Sequence, residues 1–184
     1  EGTALVYPLS AMGAHVSDCP NHTVGRSVPF ETRGYAALAG TFGYELDVTK
    51  ISEEERGMIR RQVSLYHQYN DIIRSGDYYR IASYRENHFF DCFAVVKKDR
   101  SEAVITFIQV LARPNVHSKK IRLKGLKPEA EYRVSCDKNI FCASETEEKS
   151  GILTLHGDTL MNAGIHIGGL SGDFAGAVIH AVEI

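Results

Sequence analysis

The stretch Ser52–Ser83, SEEERGMIRRQVSLYHQYNDIIRSGDYYRIAS, changes its pattern of apolar residues halfway along. Ser52 and Glu55 have the spacing of a capping box, in which each side chain accepts a hydrogen bond from the other residue's backbone amide. Apolar and aromatic residues then recur at helical intervals as far as Ile73, so that one face of the segment is apolar. The spacing predicts a helix over residues 52–75.

From Gly76 onward the pattern is typical of strands. Short segments rich in β-branched and aromatic residues are separated by turn-forming residues, as in antiparallel sandwiches and barrels. We expect strands at residues 78–83, 89–97, 103–111, 119–123, 131–135, 151–155 and 175–182. The sequence therefore predicts an all-β domain, an antiparallel β-sandwich, over residues 77–184.

The residues before the helix alternate between strand-like and helix-like segments. Thr3–Tyr7 is a mostly apolar run ended by a proline, which indicates a strand buried on both faces. A helix is expected at residues 30–39 and a second strand at 40–46. Residues 1–76 are therefore predicted to form an α/β unit, with a domain boundary near residue 76.

The bulk composition excludes several classes of protein. The chain has 184 residues, of which 43% are hydrophobic and 24% charged, and its formal net charge is −2. Charges of both signs are interspersed, which argues against a nucleic-acid partner. No apolar run reaches the roughly 20 residues that a membrane helix requires, so we expect no membrane segment.

The four cysteines, Cys19, Cys92, Cys136 and Cys142, contain no metal-type CxxC pair. The first residues also lack the basic region of a signal peptide. Reduced thiols and a cytoplasmic location are the expectation, because disulfides accumulate in exported proteins. A bridge between Cys136 and Cys142 across a hairpin remains open.

The segment His15–Arg26, HVSDCPNHTVGR, concentrates polar residues in a loop-like stretch. His15, Cys19 and His22 suggest a zinc site, but their spacing matches no strong structural zinc pattern. A nucleophilic dyad of Cys19 with a histidine is a second alternative, although no orienting partner is evident. We expect no metal and no cofactor, and the favoured interpretation is a loop whose side chains bond its own backbone.

Contact with a substrate is a further role for the same segment. If the preceding strand belongs to a barrel, the loop leaves the carboxyl end of that strand, where barrel active sites form. Asn21 and Arg26 suit sugar hydroxyl or carboxylate partners, although neither can act as a base. His15 and His22 are the other candidates for the pocket or its rim.

Glu45 and Asp47 are a candidate carboxylate pair. If both lie on one strand, they point the same way, and retaining glycosidases place two carboxyl groups about 5–5.5 Å apart. Asp47 also precedes the capped helix, and tethering of that loop is the favoured interpretation.

Several blocks of the sequence resemble the microbial α-galactosidases of glycoside hydrolase family 36. The blocks similar to the late barrel region of that family are Leu5–Ser17, Pro20–His22 with Arg26, Arg33-Gly34, and Gly40–Asp47. Those similar to its C-terminal sandwich are Val110–Asn115, Leu123–Leu126 and Gly157–Gly164. The resemblance covers nearly the whole chain, and its first block is the most specific.

The resemblance implies the last two βα units of a (β/α)8 catalytic barrel followed by an antiparallel β-sandwich. It implies retaining hydrolysis of terminal α-galactosides of the raffinose and melibiose type, without a cofactor, by two aspartates. In the family both aspartates precede the block that begins at Leu5, so neither has a counterpart here, and no residue of this chain is assigned a catalytic role. The expectation is a C-terminal fragment that is inactive alone.

In the complete enzyme the partners implied are α-galactoside oligosaccharides and further copies of the same chain, because the family often forms homo-oligomers. The alternatives are a non-catalytic carbohydrate-binding or assembly module built on the sandwich, and a thiol or metal enzyme built on Cys19 and the histidines.

Overall fold

The computed structural model describes residues 2–116, 118–141 and 151–184, and it divides the chain into two compact units, Glu1–Ser75 and Gly76–Ile184. The helices are α1 (Phe30–Ala37), α2 (Glu53–Ser75), α3 (Tyr84–Asn87) and α4 (Gly157–Asn162). The strands are β1 (Gly13–Ser17), β2 (Thr41–Glu45), β3 (Asp77–Ala82), β4 (Phe90–Val96), β5 (Glu102–Gln109), β6 (Ser118–Ile121), β7 (Glu131–Cys136), β8 (Ile152–His156), β9 (Ile165–Gly168) and β10 (Ala175–Glu183). Within the described ranges, no helix combines the length and the apolar character needed to cross a membrane.

The first unit has the order β1, α1, β2, α2, and its two strands pair in parallel. Parallel neighbours need a crossover connection, and α1 supplies it. The predicted capping box is present at the start of α2: Glu55 Oε2 accepts from the Ser52 amide at 2.9 Å, and Ser52 Oγ accepts from the Glu55 amide at 3.1 Å. The predictions of α1, β2 and α2 are confirmed.

The prediction of a strand at Thr3–Tyr7 is wrong. Thr3–Leu5 and Leu9–Ala11 form short 3-10 helices, and Val6 and Tyr7 are 74% and 61% exposed. The first strand is β1, which begins only at Gly13. An apolar run is a poor guide to the position of this strand. One face of β1 is polar, so β1 carries small and polar residues at alternate positions.

A buried glutamine joins the two helices of the first unit to β2. Gln62 of α2 is 4% exposed, and its Nε2 donates to the Phe30 carbonyl at the start of α1 at 3.0 Å. The Tyr44 hydroxyl of β2 donates to Gln62 Oε1 at 2.9 Å. The amide lies directly over Gly34 of α1, where an added Cβ would be 2.2 Å from Nε2. A glycine at this position is what lets the two helices approach.

The second unit contains an antiparallel sheet of six strands in the order β3-β4-β5-β10-β7-β8 and an antiparallel sheet of two strands, β6-β9. Ile105 and Phe107 of β5 and Ile121, Ile165 and Ile167 of the smaller sheet belong to one buried cluster. Two sheets that enclose a single core are consistent with a β-sandwich.

Each of the strands predicted after residue 76 has a counterpart in the structure. Helices α3 and α4 have four and six residues, fewer than two helical turns, so the sequence shows no helical period there; no predicted strand covers β9. The open question of a bridge from Cys136 involves Cys142, which lies outside the described residues. Among the described residues, Cys19, Cys92 and Cys136 form no disulfide with one another.

We predict that Gly34→Ala destabilises the first unit by about 1–3 kcal/mol, because the new methyl group must displace an amide that is bonded on both sides. The matched control is Gly57→Ala on α2, where an added Cβ meets nothing within 4 Å. That change should stabilise the helix by about 0.5–1 kcal/mol. Native-state hydrogen exchange of α1 and α2 amides measures both, and equal effects of the two changes would contradict the packing argument.

Candidate functional site

The two faces of the β1–β2 sheet differ in chemistry. On one face Ala14, Val16, Phe42 and Tyr44 pack with residues of the two helices, including Phe30 and Ile59. The other face carries Gly13 beside Thr41, His15 beside Gly43, and Ser17 beside Glu45. Side chains alternate along a strand, so all the helices of this unit cover one face and the second face presents polar groups. This polar face is the candidate site.

His15 is the central side chain of the polar face, and it lies on β1 rather than in the loop to which the sequence analysis assigned it. Its ring lies against two glycines: an added Cβ would be 3.2 Å from the ring at Gly43 and 3.5 Å from it at Gly13. The His15 Nδ1 is 3.9 Å from Glu45 Oε2, a distance for ion pairing with a protonated imidazole rather than for a hydrogen bond. The glycines leave room for the ring, and Glu45 lies beside one of its nitrogens.

The loop that follows β1 is ordered by its own polar groups. Asn21 Oδ1 accepts from the Thr23 and Val24 amides, both at 3.1 Å. The Asn21 backbone accepts from the Gly25 amide at 2.8 Å and donates to the Arg26 carbonyl at 2.9 Å. These contacts are those expected of a loop whose side chains bond its own backbone. His22 and Arg26 are exposed on this turn.

Arg33 of α1 holds both ends of the same loop. Its Nη1 donates to the Ser17 carbonyl where the loop begins, and its Nε donates to the Val28 carbonyl at 3.1 Å where the loop ends. The guanidinium also lies 4.8 Å from the centre of the Phe30 ring and 3.7 Å from Glu55. Arg33 stands out in the sequence only as part of a family block, because its partners Ser17 and Glu55 lie 16 and 22 residues away and no local pattern reveals them.

Glu45 and Asp47 do not form the strand pair considered from the sequence, because β2 ends at Glu45. Asp47 Oδ1 accepts from the Thr49 amide at 3.0 Å and from the Thr49 hydroxyl at 2.6 Å, and Lys50 Nζ is 3.2 Å from Oδ2. These hydrogen bonds, chiefly that from the Thr49 hydroxyl, lower the pKa of Asp47 to about 2. Asp47 tethers the loop before α2 and stays ionised at neutral pH.

Tyr44 of the first unit and Cys136 of the second unit are both protonated at neutral pH. Burial raises the pKa of Tyr44 to about 12, and that of Cys136, in the second unit, also to about 12. Cys19 Sγ donates to the Val28 carbonyl at 3.7 Å, so it contacts the loop backbone rather than a histidine. Among the residues that the structure describes, no three histidine, cysteine or acidic side chains are placed to hold a metal ion.

Two family models match the chain. The model described as Melibiase matches residues 1–76, and the model described as Glycosyl hydrolase family 36 C-terminal domain matches residues 91–181. The match to the first model ends close to the limit of the first compact unit at Ser75.

The chain is similar to characterised α-galactosidases. It is 40% identical to alpha-galactosidase AgaA of Geobacillus stearothermophilus over 173 residues, which is 94% of this chain and 22% of that protein. It is 37% identical to alpha-galactosidase Mel36A of Lactobacillus acidophilus over 179 residues, 97% of this chain and 22% of that protein. The chain therefore spans about a fifth of the length of the curated relatives that it matches.

The similarity extends to the three-dimensional structure of a related enzyme. A variant of the AgaA enzyme from Geobacillus stearothermophilus, in complex with raffinose, superimposes with a TM-score of 0.86 at 38% identity. The superposition covers 100% of this chain and 23% of that chain.

We predict that Thr49→Val raises the pKa of Asp47 from about 2 toward its ordinary value, because it removes the hydroxyl that lowers this pKa most. The folded-state pKa lies below the unfolded value of about 3.9, so the Asp47 contacts stabilise the fold above about pH 4 and this contribution is lost as the pH falls toward 2. Carboxyl NMR shifts against pH measure the change. Thr49→Ser keeps the hydroxyl and is the control, and an unchanged midpoint in Thr49→Val would refute the assignment.

Proposed function

Because the chain belongs to glycoside hydrolase family 36, we propose that it is part of an α-galactosidase that hydrolyses terminal α-galactosides with retention. Raffinose- and melibiose-type sugars are the proposed substrates, and the related AgaA variant in complex with raffinose supports this choice. No cofactor takes part in the proposed reaction.

The observation that carries the proposal is the β1–α1–β2–α2 order with a polar sheet face that the helices of this unit do not cover. In a (β/α)8 barrel of about 250 residues, helices surround the strands, and the active site forms at the carboxyl ends of the strands. We propose that β1 and β2 are the last two strands of such a barrel. Ser17 and Glu45 then lie at the end of the strands where the substrate binds.

The proposed division of labour assigns the bond-breaking groups to other parts of the enzyme. Retaining hydrolysis requires an attacking carboxylate and a proton donor about 5–5.5 Å apart. Asp47 is committed to Thr49 and Lys50, and Glu45 lies beside His15. We therefore propose that residues 1–184 are inactive alone and that His15, Asn21, His22 and Arg26 line or shape the rim of the pocket.

The roles at the rim differ among these four residues. His15 and Glu45 form an exposed pair that can exchange hydrogen bonds with sugar hydroxyls. The side-chain oxygen of Asn21 accepts hydrogen bonds from amides of the loop, so the proposed role of Asn21 is to shape the turn. His22 and Arg26 present polar groups from the outside of that turn. We also propose that the full-length enzyme is a homo-oligomer, as the resemblance implies, and that it is cytoplasmic, as the cysteine content predicts.

We predict that residues 1–184 alone do not release p-nitrophenol from p-nitrophenyl α-galactoside, whereas a full-length polypeptide that carries them does. Glu45→Gln and Asp47→Asn in the full-length enzyme should keep covalent labelling by a mechanism-based galactosyl inhibitor, because neither carboxylate is the proposed nucleophile. Peptide mapping of the labelled enzyme locates the adduct. A galactosyl adduct on any residue of this chain would disprove the division of labour.

A further inference from the structure

The loop between β1 and α1 is held in one conformation by polar contacts rather than by an apolar core. Residues 18–27 contain no buried side chain, and Val24 is 61% exposed. Loops of this kind are ordinarily mobile, since little burial offsets the entropy of ordering them. Here hydrogen bonds supply the order, so this exposed surface is presented in a defined shape.

Arg33 closes the neck of the loop. One guanidinium group donates to the Ser17 carbonyl at the start and to the Val28 carbonyl at the end, and the planar fork of arginine allows both contacts at once. The Arg33 side chain is only 14% exposed and stacks on Phe30, while Glu55 balances its charge at 3.7 Å. Lysine has a single ammonium group and no plane to stack, so it cannot reproduce this set of contacts.

Asn21 fixes the shape of the turn beyond the neck. Its side-chain oxygen accepts from two successive amides, and its backbone closes a short ring with Gly25 and Arg26. Gly25 has a positive φ of 65°, which a glycine adopts without strain. The loop is thus ordered at its neck by Arg33 and at its tip by Asn21.

The exposed groups of the loop suit a ligand rich in hydroxyls. Asp18, His22, Thr23 and Arg26 are all exposed, and together they offer both donors and acceptors of hydrogen bonds. The loop follows the carboxyl end of β1, which is the end of a barrel strand that faces substrate. When the pocket of a glycosidase encloses the terminal sugar, the leaving-group sugar lies at the rim, where a loop of this kind can contact it.

We propose that the loop of residues 18–28 recognises the leaving-group sugar, and that Arg33 is the positioning residue that fixes the loop for this contact. The inference rests on the proposed α-galactosidase function and adds to it a determinant of substrate specificity. Binding to a preformed loop avoids the entropic cost of ordering it on each turnover. Arg33 acts through the loop and does not touch the substrate.

The test compares two substrates that share the galactosyl group but differ in the leaving group. Arg33→Lys in the full-length enzyme should raise KM for raffinose about tenfold, which corresponds to the loss of one or two hydrogen bonds. The kcat and KM for p-nitrophenyl α-galactoside should stay within about twofold of the wild-type values. Arg56→Lys, an exposed arginine paired with Glu53 on α2, is the matched control and should change neither substrate.

A variant at the tip separates recognition from folding. His22→Ala removes an exposed side chain and should raise KM for raffinose more than KM for p-nitrophenyl α-galactoside, without changing the melting temperature. This variant tests the contact even if Arg33 variants fail to fold. Equal losses on both substrates in Arg33→Lys, or an unchanged raffinose KM in both variants, would overturn the inference alone. A wild-type enzyme inactive on both substrates would overturn the proposed function and this inference with it.

Discussion

The side-chain amide of Gln62 is the contact on which the first unit depends. It accepts from Tyr44 on β2, donates to the Phe30 carbonyl at the start of α1, and belongs to α2, so three elements meet at one buried group. A buried amide without partners costs about 1–3 kcal/mol, and here both of its ends are bonded. Gly34 provides the space, because any side chain there would occupy the position of the amide. The helices are thereby held on one face of the β1–β2 sheet.

Confining the helices to one face leaves the other available for polar chemistry. The two glycines of the second face admit the His15 ring, and Glu45 lies beside it. The loop after β1 extends this surface and is closed by Arg33, which also contacts Phe30 at the start of α1. Phe30 contacts both Gln62, which holds the helices on the sheet, and Arg33, which holds the loop. The packing of the helices and the conformation of the loop therefore depend on the same residue.

The second unit follows different rules, and its fold was the more predictable of the two. Strands with one face in a shared core are recognisable from alternating apolar and polar residues, as Tyr132 and Val134 of β7, buried in alternation with exposed residues, illustrate. The first unit misled the sequence analysis at Thr3–Tyr7, where an apolar run turned out to be exposed. A strand with a glycine-rich polar face, such as β1, lacks the pattern by which strands are recognised.

The sequence by itself determined the helix from the capping box to Ser75 and the family to which the blocks of residues belong. These are local signals, because caps, periodicity and motifs lie within a few residues of one another. Only the tertiary structure decided that His15 faces Glu45 rather than Cys19, that Asp47 leaves the strand, and that Arg33 closes the loop between Ser17 and Val28. Those contacts depend on the parallel register of β1 and β2 and on the packing of α1, and such long-range pairings leave no mark in the spacing of residues along the chain.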